Sequence, residues 1–424
     1  MMADWPTTTI GDIFDIGSGK TMSSKVRTGA QPTPFLRTSN VFWDRIDLSK
    51  VDEMPMQPWE REDKSLRPGD LLVCEGGEIG RAAVWEGQAE GVSFQNHVHR
   101  LRRKSDDVDP GFYAYFLQSA FTQLGIYEGA GNKTTIPNLS RSNLAALDVP
   151  KPDFDEQRNI RLVLKRVRRT MDLADNMVRV ADELKRAAMH ELFARGLRGE
   201  PQKDSEIGPI PESWEIKTLL EICTISSGGT PRKSVAEYWN GDIPWVSGKD
   251  LKKPTLDDAI DHISEDGAAV GSKIAPSDTV LILVRGMGLA KDLPISRISR
   301  PMAFNQDLKA LISKGEVTGA FLRSAIYNRK DALLSRIVPS AHGTMTLNLD
   351  DLESFKIGCP TDPDEISGIT ATIDAIDAKI DLHKRKKAVL EELFRSLLHR
   401  LMTGEIRVAD LNLTALEANQ QVAA

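Results

Sequence analysis

The sequence predicts an α+β protein: two duplicated mixed α/β domains joined by two long helices that form an antiparallel coiled coil, with pseudo-twofold symmetry. Three observations predict it. The chain repeats itself once. Within each copy the first part alternates short apolar runs with turn residues. The last part of each copy carries apolar residues at alternating spacings of three and four.

The repeat is a set of collinear matches. Residues 5–21 (WPTTTIGDIFDIGSGKT) return at 214–230 (WEIKTLLEICTISSGGT), an offset of 209. Downstream, TPFLRTSNV (33–41) aligns with IPWVSGKDL (243–251), LRPGDLLV (66–73) with IAPSDTVL (274–281), and FQNHVHRL (94–101) with FNQDLKAL (304–311). FLQSA (116–120) matches FLRSA (321–325), and TTIPNL (134–139) matches TMTLNL (344–349). Each copy closes on a Pro-rich acidic stretch, PKPDFDEQ (150–157) and PTDPDEI (360–366). The offsets, 205 to 210, are far longer than a solenoid repeat, so each copy is a domain and duplication explains the order.

Taken in order, the elements of one copy follow from turn chemistry. Pro68, Gly69 and Asp70, like Pro276, Ser277 and Asp278, read as turns into apolar strands, Leu71 to Cys74 and Val280 to Val284. Gly76, Gly77 and Gly80, and Gly286 and Gly288, mark tight backbone after those strands. Phe112 to Phe121 and Phe321 to Tyr327 read as short buried helices.

The end of each copy reads as a long helix. Apolar residues fall at Ile160, Leu164, Val167, Met171, Ala174, Val178, Ala181, Ala188 and Leu192, broken by Lys185. In the second copy they fall at Ile366, Ile369, Ile373, Ile376, Ile380, Leu390, Phe394, Leu397 and Leu401, interrupted by His383 and Lys387. Such a sustained heptad seam asks for a helical partner. The economical partner is the other copy's helix. Asp155 and Asp364 suit N-caps or first-turn acids, and Gly196, Gly199 and Gly404 suit helix ends. The expected blocks are a first domain over 1–152, a helix over 153–203, a second domain over 204–361, a second helix over 362–408, and a tail over 409–424.

Composition narrows the class. The 424 residues are 40% hydrophobic and 27% charged, ordinary for a globular protein. No run of about eighteen apolar residues occurs, so no membrane span is expected. Cys74, Cys223 and Cys359 are sparse and far apart, which suits a reducing cytoplasm and argues against disulfides and zinc. The net charge of −6 counts against nucleic-acid binding if taken alone, but local clusters such as Arg100, Arg102, Arg103 and Lys104 matter more than the sum.

Two motif-like stretches fail on inspection. The run from Gly17 to Thr21 (GSGKT) resembles a P-loop, yet Phe14 stands where its first Gly belongs and Gly229 replaces Lys20 in the repeat. A polar loop suited to phosphate contact is the better reading. His97 and His99 lack further ligands, and the repeat replaces them with Asp307 and Lys309, so a strand is expected and no metal. The repeated pairs Gln95, Asn96 and Asn305, Gln306 suit either base reading or side-chain bonds to backbone. No nucleophile elbow, zincin, kinase or Asn-Pro-Pro-aromatic amino-methyltransferase motif is present.

The duplicated order resembles the specificity subunit of type I restriction–modification systems. It comprises a Trp-led apolar start, a polar GSGKT-type loop, P-G-D-L-L-V with a Gly-rich turn, an F-x-N/Q block, and P-x-P-x-x-D-E-Q before a long helix. DSEIGPIPESW (204–214) opens the second copy and LMTGEIRV (401–408) closes it. The resemblance spans about 5–408, and the order carries it, not any one motif. One departure is Glu365 and Ile366 where Glu156 and Gln157 stand in the first copy; the other is the pair His383 and Lys387 in the second seam.

The resemblance implies two target recognition domains, each reading one half of a bipartite site in double-stranded DNA, with the helices as a ruler for the gap. It implies a chain without catalysis or cofactor of its own. Two methyltransferase subunits holding S-adenosylmethionine would dock on the helices, at a seam of Ile160, Leu164, Val167, Met171, Ile369, Ile373, Ile376 and Ile380. Restriction and translocase subunits using ATP and Mg would join them. DNA contact is expected from polar loop residues that break core patterning: Lys20, Lys25, Arg37, Asn40, Arg81, Asn132 and Lys133 in the first domain, and Arg232, Lys233, Lys249, Arg285, Lys291 and His342 in the second. The competing functions are a protein-interaction scaffold, which the acidic balance suits, and a nuclease with an unrecognised site.

Overall fold

The computed structural model describes residues 5–21, 30–125, 139–340 and 344–411. The chain forms two compact units, residues 1–175 with 385–424, and residues 176–384. This grouping cuts across the sequence blocks because each long helix, Phe154–Arg195 and Pro363–Thr403, contributes one stretch to each unit.

In the first unit, four antiparallel strands lie in the order Phe14–Ser18, Val98–Arg103, Leu71–Cys74, Ala82–Val84. Leu71, Leu72, Val73 and Cys74 are all buried, as a central strand covered on both faces must be. A second sheet joins Gln31–Leu36 to Asp52–Met56 and to Ser93–Phe94. Below the main sheet, the helix Pro110–Ser119 packs Phe112, Tyr113 and Phe116 against Ile160, Leu164 and Val167 of one long helix and Phe394, Leu398 and Leu401 of the other.

The second unit repeats the plan. Cys223–Ser227, Leu308–Ser313, Val280–Leu283 and Ile295–Ile298 follow the same order, with Thr255–Leu256 added at the edge. The helix Gly319–Asn328 packs Phe321, Leu322 and Ala325 into a core shared with Met189, Phe193, Ile366, Ile369 and Ile373. A further sheet holds Asp261–Ile263, Ile243–Val246, Met302–Phe304 and Lys273–Ala275.

The duplication extends to details that sequence matching blurs. The first short helix of each unit carries the same capping box, Thr9 with Asp12 and Thr218 with Glu221. Gly19 and Gly228 approach the backbone of residues 94–95 and 304–305 so closely that a Cβ would lie 2.2 Å from the Gln95 carbonyl oxygen or 2.1 Å from that of Phe304. The turn before each buried strand holds a left-handed residue, Gly69 (φ 93°) and Asp278 (φ 65°). These are equivalent, so the match of 66–73 to 274–281 must shift by one residue.

Two other matches also need correction. Trp5 packs edge-on against Phe112, and Trp214 against Phe321, so Phe112 and Phe321 are equivalent. The FLQSA and FLRSA strings therefore do not correspond; their likeness is one of composition within two helices. The Leu139 amide donates to the Glu75 carbonyl, and the Leu347 amide to that of Val284, which pairs Leu139 with Leu347 and shifts the match of 134–139 by two.

The long helices are as expected in kind. Ile160, Leu164, Val167, Met171, Ile369, Ile373 and Ile380 are buried, and Ile376 is half-buried. Within the first unit Arg168 stacks on Phe394 and Asp175 pairs with Lys387, and within the second Lys185 pairs with Asp377 and Arg198 with Asp362, so the helical stretches of each unit run antiparallel. Asp155 and Asp364 are first-turn acids and not N-caps. The capping is done by Asp153, which accepts from the Glu156 amide, and Asp362, which accepts from that of Asp364. Gly196, Gly199 and Gly404 adopt positive φ just past the helices.

Candidate nucleic-acid interface

In each unit three chain segments converge beyond the end of the buried central strand. In the first unit they are the turn Thr38–Asn40, the Gly-rich loop 75–81, and the backbone arriving at Leu139. The Arg81 guanidinium donates to the Thr38 carbonyl at 2.7 Å, and the Leu139 amide donates to Glu75 at 2.7 Å. In the second unit the segments are 247–250, 284–291, and 338–340 with 344–347. A Cβ on Gly248 would meet Leu283 at 3.0 Å, and Arg285–Gly286 pairs in antiparallel register with Met345–Thr346.

The same local chemistry builds the first segment twice. Asn40 Oδ1 accepts the Arg37 amide at 2.9 Å, while its Nδ2 donates to the carbonyls of Asp47 and Lys50. Asp250, its counterpart, accepts the Ser247 and Ile260 amides. These buried caps lock the turn and leave its other side chains outward.

Arginine dominates the surface of the first cluster. Arg81 and Arg45 both stack on Phe42, with guanidinium carbons 5.3 Å and 4.6 Å from the ring centroid. Arg37 is half exposed and pairs with Asp52 at 2.5 Å. Trp43 Nε1 donates to Glu78, which also faces Arg81 at 3.6 Å. In the second cluster Lys249, Arg285, Met287 and Lys291 are exposed. Lys249 pairs with Asp261 at 2.8 Å. Stacked or loosely paired cations on rigid turns suit phosphate and base-edge contact, because breaking an exposed ion pair to meet DNA costs little.

The family described as "Type I restriction modification DNA specificity domain" matches residues 2–177 and again 211–392. The chain belongs to that family. It is therefore a type I DNA-specificity protein carrying that domain twice. Its relatives include the MjaX specificity subunit of a type I restriction enzyme from Methanocaldococcus jannaschii, 23% identical over 96% of this chain and 94% of the relative. Another is the EcoR124I/EcoR124II specificity subunit of Escherichia coli, 29% identical over 55% of each chain. The fold is shared with the type I S subunit from M. genitalium, with a TM-score of 0.63 at 17% identity over 94% of this chain and 96% of that one.

Within this specificity protein, the expected contact residues divide. Arg37 and Arg81 come together in the first cluster, as do Lys249, Arg285 and Lys291 in the second. Arg232 and Lys233 are exposed on another turn, where Trp239 Nε1 donates to the Arg232 carbonyl. Two expectations are corrected. Asn40 is buried and its amide bonds backbone on both sides, so it holds the turn and is not the exposed loop residue expected. Lys20 is tied inward, donating to the Pro55 carbonyl at 2.7 Å and to Glu60 at 2.5 Å. Lys25, Asn132, Lys133 and His342 lie outside the described residues.

The other sequence questions resolve as framework. His99 is buried, its Nε2 at 2.9 Å from the Leu139 carbonyl. Burial holds its pKa below the ordinary 6.5. Asn305 accepts the Asp307 amide, so this member of the F-x-N/Q block bonds backbone. Arg45 and Met287 were missed by sequence reading. Arg45 was concealed because its turn, Trp43 and Asp44, carries no glycine; Met287 was concealed because an apolar residue reads as core.

The docking seam also needs correction. Ile160, Leu164, Val167, Ile369 and Ile373 are fully buried inside their units and present no surface. Other apolar residues of the helices point outward: Leu162, Leu173, Val389 and Leu393 in the first unit, and Met177, Val180, Leu184 and Leu382 in the second. Among the described residues no helix is long and apolar enough to cross a membrane, and no group of acidic, His and Cys side chains is placed to hold a metal ion.

Proposed function

We propose that the chain is the non-catalytic specificity subunit of a cytoplasmic type I restriction–modification complex, with each unit reading one half of a bipartite site in double-stranded DNA. One observation carries this: the same three-segment scaffold is built twice, with the same buried caps, while the outward side chains differ, Arg37 and Arg45 against Lys249, Arg285 and Met287. A duplicated frame with unlike tips suits two unlike half-sites.

The two long helices set the number of base pairs between the halves. Their outward apolar residues, not the buried seam, receive the modification subunits. Exposed leucines and methionines in helical register are otherwise unfavourable on a solvated surface. Two methyltransferase subunits carry S-adenosylmethionine, and restriction and translocase subunits carry ATP and Mg; this chain holds no cofactor.

The test is exchange of residues 1–152 for the first domain of another family member, followed by mapping of methylated DNA. One half-site changes and the other stays. A change in both halves, or in neither, defeats the reading. Methyl transfer or cleavage by the isolated chain, given DNA, Mg and S-adenosylmethionine, defeats the assignment as non-catalytic.

A further inference from the structure

The arginine-bearing hairpin of the first unit is tied inward through the Asp44 side chain, beside the bond from Trp43 Nε1 to Glu78. Val41–Phe42 pairs with Arg45–Ile46, leaving Trp43 and Asp44 as a two-residue turn. Asp44 sits in the left-handed region, φ 54°, one of two non-glycine residues with positive φ among the described residues. Its amide donates to the Ala82 carbonyl at 2.9 Å, which fixes the backbone. Its carboxylate turns inward and accepts a hydrogen bond from the Tyr115 phenol.

Tyr115 is fully buried in the helix Pro110–Ser119, and its ring lies 6.2 Å from that of Phe394 on the C-terminal helix. Arg168, on the central helix, stacks on the other partner of this contact, its guanidinium carbon 4.4 Å from the Phe394 centroid. Burial raises the pKa of the Asp44 carboxyl, and the Tyr115 hydrogen bond and the charge of Arg168 oppose that rise. The hairpin tip is thus tied, through a carboxylate and a phenol, to the two helices of its own unit. Among the described residues of the second unit, the equivalent of this tie is replaced by a local bond. Ser324 stands at the position equivalent to Tyr115, and its hydroxyl returns to the Ala320 carbonyl at 3.0 Å.

We propose that Asp44 and Tyr115 are positioning residues for the first half-site: their hydrogen bond orients the Phe42–Arg45 hairpin, and with it the exposed Arg45 stacked on Phe42, against the bases. This rests on the reading that the first unit recognises one half of the site. A base-reading guanidinium discriminates only if its root is held to a fraction of an ångström, and the Asp44–Tyr115 bond is the tie that runs from this turn to the buried helix Pro110–Ser119.

The variants separate the hydrogen bond from the fold. Tyr115→Phe deletes only the phenol oxygen and keeps the ring packed. Asp44→Gly deletes the acceptor and still tolerates positive φ. Asp44→Asn keeps both an acceptor oxygen and tolerance of the left-handed region. Each is assembled with the modification subunit of its own system and offered DNA sites with single base changes in one half at a time.

Tyr115→Phe and Asp44→Gly are expected to lower discrimination in the first half-site by about tenfold, the worth of one hydrogen bond to a charged group. The double variant is no worse than either single one. Asp44→Asn stays near wild type, and discrimination in the second half-site is unchanged in all. Equal loss in both halves, or full first-half discrimination in Tyr115→Phe, overturns the proposal. If a variant fails to fold, Asp44→Asn and Tyr115→Phe still differ by the acceptor and donor they retain, and equal behaviour of those two overturns it as well. Failure of the domain exchange described above would instead overturn the half-site reading itself.

Discussion

Lys185 and Asp377 meet inside the helix pair of the second unit, Nζ to Oδ1 at 2.5 Å, with side chains 10% and 16% exposed. Lys185 is the residue that breaks the heptad seam in the sequence, and burial pushes its pKa down. Asp377 also faces Arg323 at 3.8 Å. One carboxylate therefore serves two buried cations.

The first prediction follows from that count of charges. Asp377→Leu strands both Lys185 and Arg323 and should cost about 3–5 kcal/mol. Lys185→Met leaves Asp377 paired with Arg323 and should cost markedly less. Urea unfolding of the two variants checks the order, and a larger loss for Lys185→Met would contradict it.

Gap length should follow the helices, but only when both are lengthened. Asp175 pairs with Lys387 and Lys185 with Asp377, so a heptad in one helix alone would slide these pairs apart. A heptad inserted between Asp175 and Asn176, with another between Lys384 and Arg385, keeps both faces and adds ~10 Å, about three base pairs. A methylation map should show the same half-sites with a wider gap. An unchanged gap would rule out the ruler. Ile373→Asp, by burying a charge, should instead cost several kcal/mol in unfolding experiments (about 3 or more).

Arg285 is exposed beside the Met345–Thr346 strand and Met287. Arg285→Ala should lose ~1–3 kcal/mol of discrimination at one base pair of the second half-site if it reads a base. Binding measured across a panel of single-base variants gives the result. Uniform weakening with a shallower salt dependence would make it a phosphate contact.

Acid should weaken the first unit through His99. Its folded pKa lies below 6.5 because burial disfavours the charged ring. Stability from this group is therefore full above the unfolded pKa and is lost as pH falls below about 6.5 toward the folded value, where the unfolded chain takes up a proton that the folded ring resists. His99→Gln retains a donor for the Leu139 carbonyl and cannot titrate. Thermal unfolding across pH 7 to 5 should show a smaller acid loss in the variant; parallel curves would exclude His99 as the source.

The domain duplication, the central strands and the two heptad seams were legible in the sequence because each is a periodic property of residues near one another in the chain. Trp5 and Trp214, the PGD and PSD turns, and Ile160 to Leu192 carry those signals without knowledge of any partner. Tertiary structure decided what each polar side chain does. Lys20 and Asn40 look like contact residues until Glu60, Pro55, Asp47 and Lys50 arrive from elsewhere in the chain to occupy their hydrogen-bonding groups. The seam named for docking proved to be core, since an apolar stripe does not say whether it faces its own chain or another. The Asp44–Tyr115 tie spans 71 positions and no periodicity announces it. A donor's partner is set by which segments the sheet order brings together, and that order is a long-range property written in no single stretch.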